Sequence, residues 1–310
     1  MKMYDMSSCV NSVFEQVWWL KAVSPDREWK EVFIEEDGQI IARWVSVVNN
    51  NDLILPAQTQ TLGFWIHPEI LKNDKYYNKR KEIIYNLITQ LPSKSVLLSL
   101  APENTYFLPF IWKRFNISPR ISYRIMDLSN IDSIYNTFGK VVKKNIKSAK
   151  NKVNVCEIDD ISLLHNLMNK TFALQRRKYP YTIDFLNRIY GACKQHNACK
   201  LLYAIDKENN IHSGALFVYD KHVCYYLIAG TDPDYRSSGA NTLLIWEGIQ
   251  LAAKFSQCFD FEGSMIEGIE KFIRQFGGVP VTYYEIKRCG VVQDFWAILK
   301  PRIKRIIGYK

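Results

Sequence analysis

The sequence predicts an α/β chain with a mixed sheet, built as two similar halves, and three observations carry that expectation. Segments of helical and strand periodicity alternate along its 310 residues. The same layout returns in the second half of the chain. A short pattern, F-x-x-x-P-x-x-x-Y, occurs at Phe115, Pro119 and Tyr123 and again at Phe276, Pro280 and Tyr284. Each copy follows a helical stretch carrying aromatic and basic residues: Trp112, Lys113 and Arg114 in one, Phe272 and Arg274 in the other. A duplicated unit produces such a recurrence. The expected halves are 1–128 and 129–310.

The elements follow in order. Residues 9–22 have a helical apolar pattern. WKEVFIEEDGQIIARWVSVV reads as two strands around Asp37-Gly38, a hairpin signal. RKEIIYNLITQL is an amphipathic helix and SVLLSLAP a short buried strand. YFLPFIWKRF reads as a helix ending before Pro119, and ISYRIMDL as a strand. In the second half, 160–175 and 183–195 are helical. CKLLYAID, IHSGALFVYD and HVCYYLIAG are successive strands, and ANTLLIWEGIQLAAKF is a helix. CFDF, IEKFIRQF and VTYYEIKR close the chain as strand, helix and strand.

Composition narrows the partners. Hydrophobic residues make up 47% and charged residues 23%, as in a globular domain. The net charge of +10 favours anionic partners. Seven cysteines without a C-x-x-C pair, and five scattered histidines, read as reduced, mostly buried thiols of a cytoplasmic protein without a metal site. No run is long and apolar enough to cross a membrane.

Several stretches carry candidate chemistry. Arg236-Ser237-Ser238-Gly239-Ala240 lies between a strand and a long helix. It approximates R-x-x-G-x-G/A, a turn whose free N–H groups cradle phosphate, with Asn241 where Gly or Ala is expected. A plain strand-to-helix turn fits the same residues. In Cys258-Phe259-Asp260-Phe261-Glu262, strand alternation puts Asp260 and Glu262 on one face, suited to taking a proton from an amine or holding a hydroxyl. Any half-exposed strand shows that alternation too. Lys140, Lys143, Lys144, Lys147 and Lys150 share a helical face, which attracts anions or simply meets solvent. Polar loops at Gln58 and Gln60, and at Gln175 and Arg176, are candidate substrate contacts. The basic C-terminal WAILKPRIKRIIGYK fits either a weak membrane-surface contact or docking on its own domain.

Taken together, the strand–turn–helix with Arg236, Gly239 and Ala240, the FDFEG segment and the FGG break before a tyrosine-bearing strand resemble the GNAT superfamily of N-acyltransferases. The K-x-N-I-K-x-A run (Lys143, Asn145, Ile146, Lys147, Ala149), PAQTQTLGFW and SYRIMDL are more closely similar to its FemAB-like branch, which carries two GNAT-like halves. The resemblance implies two neighbouring parallel strands, about 223–230 and 257–262, that splay apart to admit an acyl donor. It implies acyl-CoA as probable co-substrate, bound by Leu227, Ile228, Ala229, Arg236, Ser238, Gly239, Ala240 and Arg274. Aminoacyl-tRNA is the lesser alternative, because Phe272-Ile273 stands where the peptidoglycan enzymes show Phe-Lys. The implied reaction passes an acyl or aminoacyl group to an amine on a sugar, peptide or cell-envelope precursor. Asp260 or Glu262 would be the base and Tyr226 or Tyr284 the proton donor, with Gln58, Gln60, Gln175 and Arg176 contacting substrate. A non-catalytic module of this fold holding a nucleotide-sugar or RNA is the alternative.

Overall fold

The computed structural model describes residues 6–91, 95–263 and 265–288. Ser264, Cys289 and the basic segment 296–310 lie outside the described residues. The helices are α1 (Val17–Val23), α2 (Pro68–Lys72), α3 (Tyr77–Thr89), α4 (Leu108–Trp112), α5 (Ile131–Thr137), α6 (Lys140–Ala149), α7 (Ile161–Leu174), α8 (Ile183–Gln195), α9 (Ala240–Ala252) and α10 (Glu267–Ile273). The strands are β1 (Glu28–Glu36), β2 (Gln39–Asn49), β3 (Asp52–Ile54), β4 (Phe64–Ile66), β5 (Val96–Leu100), β6 (Asn116–Ile125), β7 (Asn154–Glu157), β8 (Cys199–Ile205), β9 (Ile211–Tyr219), β10 (Val223–Thr231), β11 (Cys258–Asp260) and β12 (Val279–Arg288). They group into two compact units. The first takes the described residues up to 16, those of 24–120 and those from 283 on; the second takes 17–23 and those of 121–282.

In the first unit, Asp37 and Gly38 both take positive φ (49° and 77°). That is the two-residue turn whose twist matches a hairpin, and it joins β1 to β2 in antiparallel register. The strand order is β1-β2-β3-β5-β12, with β4 on β2. Trp44, Phe64, Phe110 and Phe115 pack one on the next with centroids 5.3, 5.8 and 5.4 Å apart, and these rings fill the core. The helix expected over 9–22 is shorter. A single turn at Val13–Glu15 is cut off by extended Gln16, and only Val17–Val23 is α-helical. The break turns Glu15 inward, where its carboxylate accepts from Asn11 N and Nδ2, and Arg43 donates to the Glu15 carbonyl at 3.2 Å. Burial pushes the Glu15 carboxyl up to about 7, against the pull of Asn11 and Arg43.

In the second unit the order is β6-β11-β10-β9-β8-β7. Strands β8, β9 and β10 form an antiparallel meander. One face is covered by α5, α6 and α9, which bury Ile134, Val142, Ile146, Leu244 and Ile249 against Phe217, Cys224, Phe259 and Phe261. Toward α7, the Tyr203 hydroxyl donates to Asp160 O (2.6 Å) and accepts from Leu164 N (3.1 Å). The lysines of α6 point away from its buried side; Lys140, Lys144, Lys147 and Lys150 are exposed, so the run is a solvated face. Cys193, Cys199 and Cys224 are buried but Cys156 is exposed, so burial of the thiols is less general than expected.

The recurring motif keeps its context. Phe115 follows α4 and a left-handed residue, Arg114 (φ 62°), and leads into β6. Phe276 follows α10, precedes left-handed Gly277 (φ 74°) and leads into β12. The first helix is shorter than expected because Arg114 ends it, and the following strand starts earlier, at Asn116.

Candidate active site

The central feature is a fork in the second unit's sheet. Strands β10 and β11 pair in parallel only through Val223 with Cys258, Cys224 with Phe259 and Tyr225 with Asp260. β10 then runs on to Thr231, bonded to β9 alone, while β11 stops. Both strands have a local cause for parting. On β10 the register to β9 slips between Tyr226 and Ile228, so Leu227 is a bulge residue that increases local twist. On β11 the Asp260 carboxylate accepts from Glu262 N at 2.7 Å, closing a tight turn. Phe261 N then donates to Tyr123 O of β6 at 3.0 Å. Glu262 and Gly263 both take positive φ (61° and 56°). A Cβ on Gly263 would stand 2.4 Å from Ile121 O, so only glycine lets the chain cross β6 this closely. At the far end of the open edge, Thr171 of α7 exchanges hydrogen bonds with the Thr231 backbone (3.0 and 3.3 Å). Lys170 binds Asp232 at 2.5 Å.

The alternation expected along FDFE does not hold. Phe259, Asp260 and Phe261 are all buried, and Glu262 leaves the strand through its left-handed turn. The two acids therefore meet different surroundings. Asp260 is fully enclosed: Oδ2 accepts from Arg124 Nε at 2.6 Å, and Oδ1 from Ser122 Oγ at 2.5 Å and from Glu262 N. Glu262 Oε1 is buried without a hydrogen-bond partner. Burial, then the Asp260 charge, pushes the Glu262 carboxyl well above the usual carboxylate range, and Arg124 opposes this.

The turn before α9 is built from two tight contacts. Gly239 (φ 79°) lets the backbone approach α6, where a Cβ would lie 3.0 Å from Asn145 O. That approach is what the Lys143–Ala149 run provides: a helix face smooth enough, at Ala149, for the turn to settle on. Ser238 Oγ accepts from Ala240 N at 3.1 Å, and Arg236 is exposed on the turn. Asn241, the departure from the phosphate pattern, faces the sheet. Its Oδ1 accepts from Tyr226 OH at 2.8 Å and from Ser213 Oγ at 3.4 Å. Burial raises the Tyr226 hydroxyl above its ordinary value, with the Asn241 bond pulling the other way.

Among the residues expected from sequence, Tyr226, Leu227, Ile228 and Ala229 lie on the open length of β10, Asp260 on the paired end of β11 and Glu262 on the turn that follows it toward β6. Ser238, Gly239 and Ala240 at the head of α9 are tied to Tyr226 through Asn241. Gln175 and Arg176 are exposed just past the end of α7, one turn beyond Thr171. Arg274 is exposed and pairs with Glu270 (3.3 Å), which also accepts from Tyr123 OH at 2.6 Å. Gln58, Gln60 and Tyr284 belong to the first unit. Gln58 is left-handed (φ 54°), Gln60 is buried, and Tyr284 pairs with Leu100 and packs on Phe107 at 4.3 Å. Sequence reasoning missed Arg124, Ser122 and Ser213, and saw Asn241 only as a departure from the phosphate pattern. An arginine inside the apolar run ISYRI was the available signal for the first of these.

Comparison with known proteins places this geometry. Residues 139–265 match the acetyltransferase (GNAT) domain family, a span that holds the fork, the α9 turn and both acids. The chain also has the fold of FemX, at 12% identity and a TM-score of 0.70 over 96% of this chain and 98% of that one. It is similar to the C-terminal domain (DUF2156) of a putative lysylphosphatidylglycerol synthetase from Agrobacterium fabrum, at 9% identity and TM-score 0.55 over 90% and 89% of the chains. A tandem GNAT protein from the clavulanic acid biosynthesis pathway aligns at 8% identity and TM-score 0.51 over 85% and 83%. No curated protein matches the chain. The fold is thus the mixed α/β fold of GNAT proteins, and the chain resembles the FemAB-like branch of that superfamily. Among the described residues no helix is long and apolar enough to cross a membrane, and no group of three His, Cys, Asp or Glu side chains is arranged to hold a metal ion.

Proposed function

We propose that the chain is an N-acyltransferase that passes an acyl group from an activated donor, an acyl-CoA thioester, to an amine on a sugar, peptide or cell-envelope precursor. The observation that carries this reading is the open edge of β10 beyond the Tyr225–Asp260 pair. A strand edge with outward N–H and C=O groups takes up an extended amide-bearing arm by the same bonds that build a sheet. N–H groups fixed there also stabilise the oxyanion of acyl transfer. The head of α9, with Gly239 and exposed Arg236, suits the donor's phosphates.

The acid–base roles divide by environment. Attack forms an N–C bond, breaks the bond from the acyl carbon to the leaving group, and releases a proton from the amine. Glu262, with an unpartnered oxygen and raised proton affinity, takes that proton. Asp260, with both oxygens engaged, holds the turn that presents Glu262. The Tyr226 hydroxyl returns a proton to the leaving group. The similarity to the C-terminal domain of a putative lysylphosphatidylglycerol synthetase supports testing an aminoacyl donor beside the thioester.

The experiment is a donor panel of acetyl-CoA, longer acyl-CoAs and aminoacyl-tRNA against amino-sugar and peptide amines, read by mass spectrometry. The expected result is an acylated amine with one donor class and its loss in Glu262→Gln. Wild-type turnover by that variant contradicts the acid–base assignment. Heat-shift stabilisation by RNA or a nucleotide-sugar, with no product from any donor, favours the non-catalytic module instead.

A further inference from the structure

The first unit carries a surface that acyl transfer does not use. Helix α4 leaves Leu108, Ile111 and Trp112 exposed at 42, 53 and 51%, with Phe110 turned inward into the aromatic core. These three positions, spaced three and four apart, share one side of the helix. Trp112 is rigid: its ring stacks on Tyr85 of α3 with centroids 6.1 Å apart and planes 13° from parallel. Tyr85 lies on the α3 stripe that also carries Tyr77 and Lys81. Tyr77 is itself 45% exposed and packs against Tyr106 at 5.0 Å.

Cations follow this apolar tip directly along the chain. Between Asn104 and Arg120 the chain has no acidic residue, and Lys113 and Arg114 follow Trp112 directly. Both are exposed, and Lys113 Nζ sits over the Tyr85 ring at 5.2 Å. Arg114 takes a left-handed turn (φ 62°) immediately beyond the helix. A protruding Leu, Ile and Trp bordered by tyrosines and cations has the composition of the water–bilayer boundary, where indole and phenol rings straddle the polar layer and cations meet anionic headgroups. Three large apolar side chains exposed together on one helix are unusual for a surface that meets only water.

We propose that the α4 tip docks on an anionic lipid surface, with Leu108, Ile111 and Trp112 entering the headgroup layer and Lys113 and Arg114 pairing with lipid phosphates. Co-sedimentation tests it with two kinds of vesicle, pure phosphatidylcholine and a mixture with phosphatidylglycerol. The wild-type chain should bind the mixed vesicles, and added salt should weaken that binding. Ile111→Ser with Trp112→Ser should lower it about tenfold or more. Lys113→Ala with Arg114→Ala should remove most of the preference for anionic vesicles. Unchanged melting of both variants shows that the tip, not the fold, was altered. Absence of vesicle binding by the wild type overturns the proposal. So does full binding by the Ile111→Ser/Trp112→Ser variant, which would assign any vesicle affinity to another part of the chain, such as the basic segment 300–310.

Discussion

The two lengths of β10 are the same strand put to different uses. At Cys224 and Tyr225 it is paired with a strand on both sides, and these residues and Val223 are buried. From Tyr226 onward it is bonded on one side, carries a bulge and leaves Tyr226, Leu227 and Ala229 half-buried. The two acids of FDFE also differ, one on the neighbouring strand β11 and one on the turn after it. Asp260 belongs to the paired length, and its charge is cancelled by Arg124. Glu262, two residues on, lies beyond the strand on its left-handed turn, and its Oε1 has no partner. One carboxylate is thus fully hydrogen-bonded and the other keeps a buried oxygen without a partner; the second is the one proposed to react.

The largest expected effect lies on the paired side. Arg124→Met leaves the Asp260 charge enclosed and unpaired, a loss of about 3–5 kcal/mol, measurable by urea or thermal unfolding. Glu262→Gln should cost little, because it removes a carboxylate whose Oε1 is buried without a hydrogen-bond partner. Equal losses from the two changes would break the comparison.

A smaller effect is pH-dependent. The folded pKa of Glu262 is raised above its unfolded value of 4.5, so the folded chain holds a proton that the unfolded chain releases. Stability from this group is present below 4.5 and is lost as pH rises through the raised folded value. The stability of Glu262→Gln relative to wild type should therefore grow with pH across that window. Glu15 behaves alike between 4.5 and about 7, so the measurement is made as a difference from wild type. In the proposed transfer reaction, with Glu262 as base, the same titration should appear as a rate that falls when the medium becomes acid. The smallest effect is at Tyr226→Phe, which removes the bond to Asn241 and should cost about 1 kcal/mol.

How much of this was legible follows from the range of the forces. The β1–β2 hairpin and helix α8 were readable because Asp37-Gly38 and the Ile183–Gln195 apolar spacing are local signals. The recurring motif was readable because both copies carry the same residues into the same helix–turn–strand context. The environment of Asp260 was not readable, since its partner Arg124 is 136 residues away. Nor was the exit of Glu262 from the strand, which depends on Gly263 meeting Ile121 across the sheet. Asn241 was visible as a departure from a pattern, but its bonds to Tyr226 and Ser213 required the fold.

Amide hydrogen exchange along β10 tests the fork most directly. In the free protein the Val223–Tyr225 amides should be protected, and those between Tyr226 and Gly230 that are not bonded to β9 should exchange faster. Saturation with the acyl donor should slow the second group and leave the first unchanged. Uniform protection from Val223 to Gly230 before any donor is added would contradict an open edge, and with it the acyl-transfer reading.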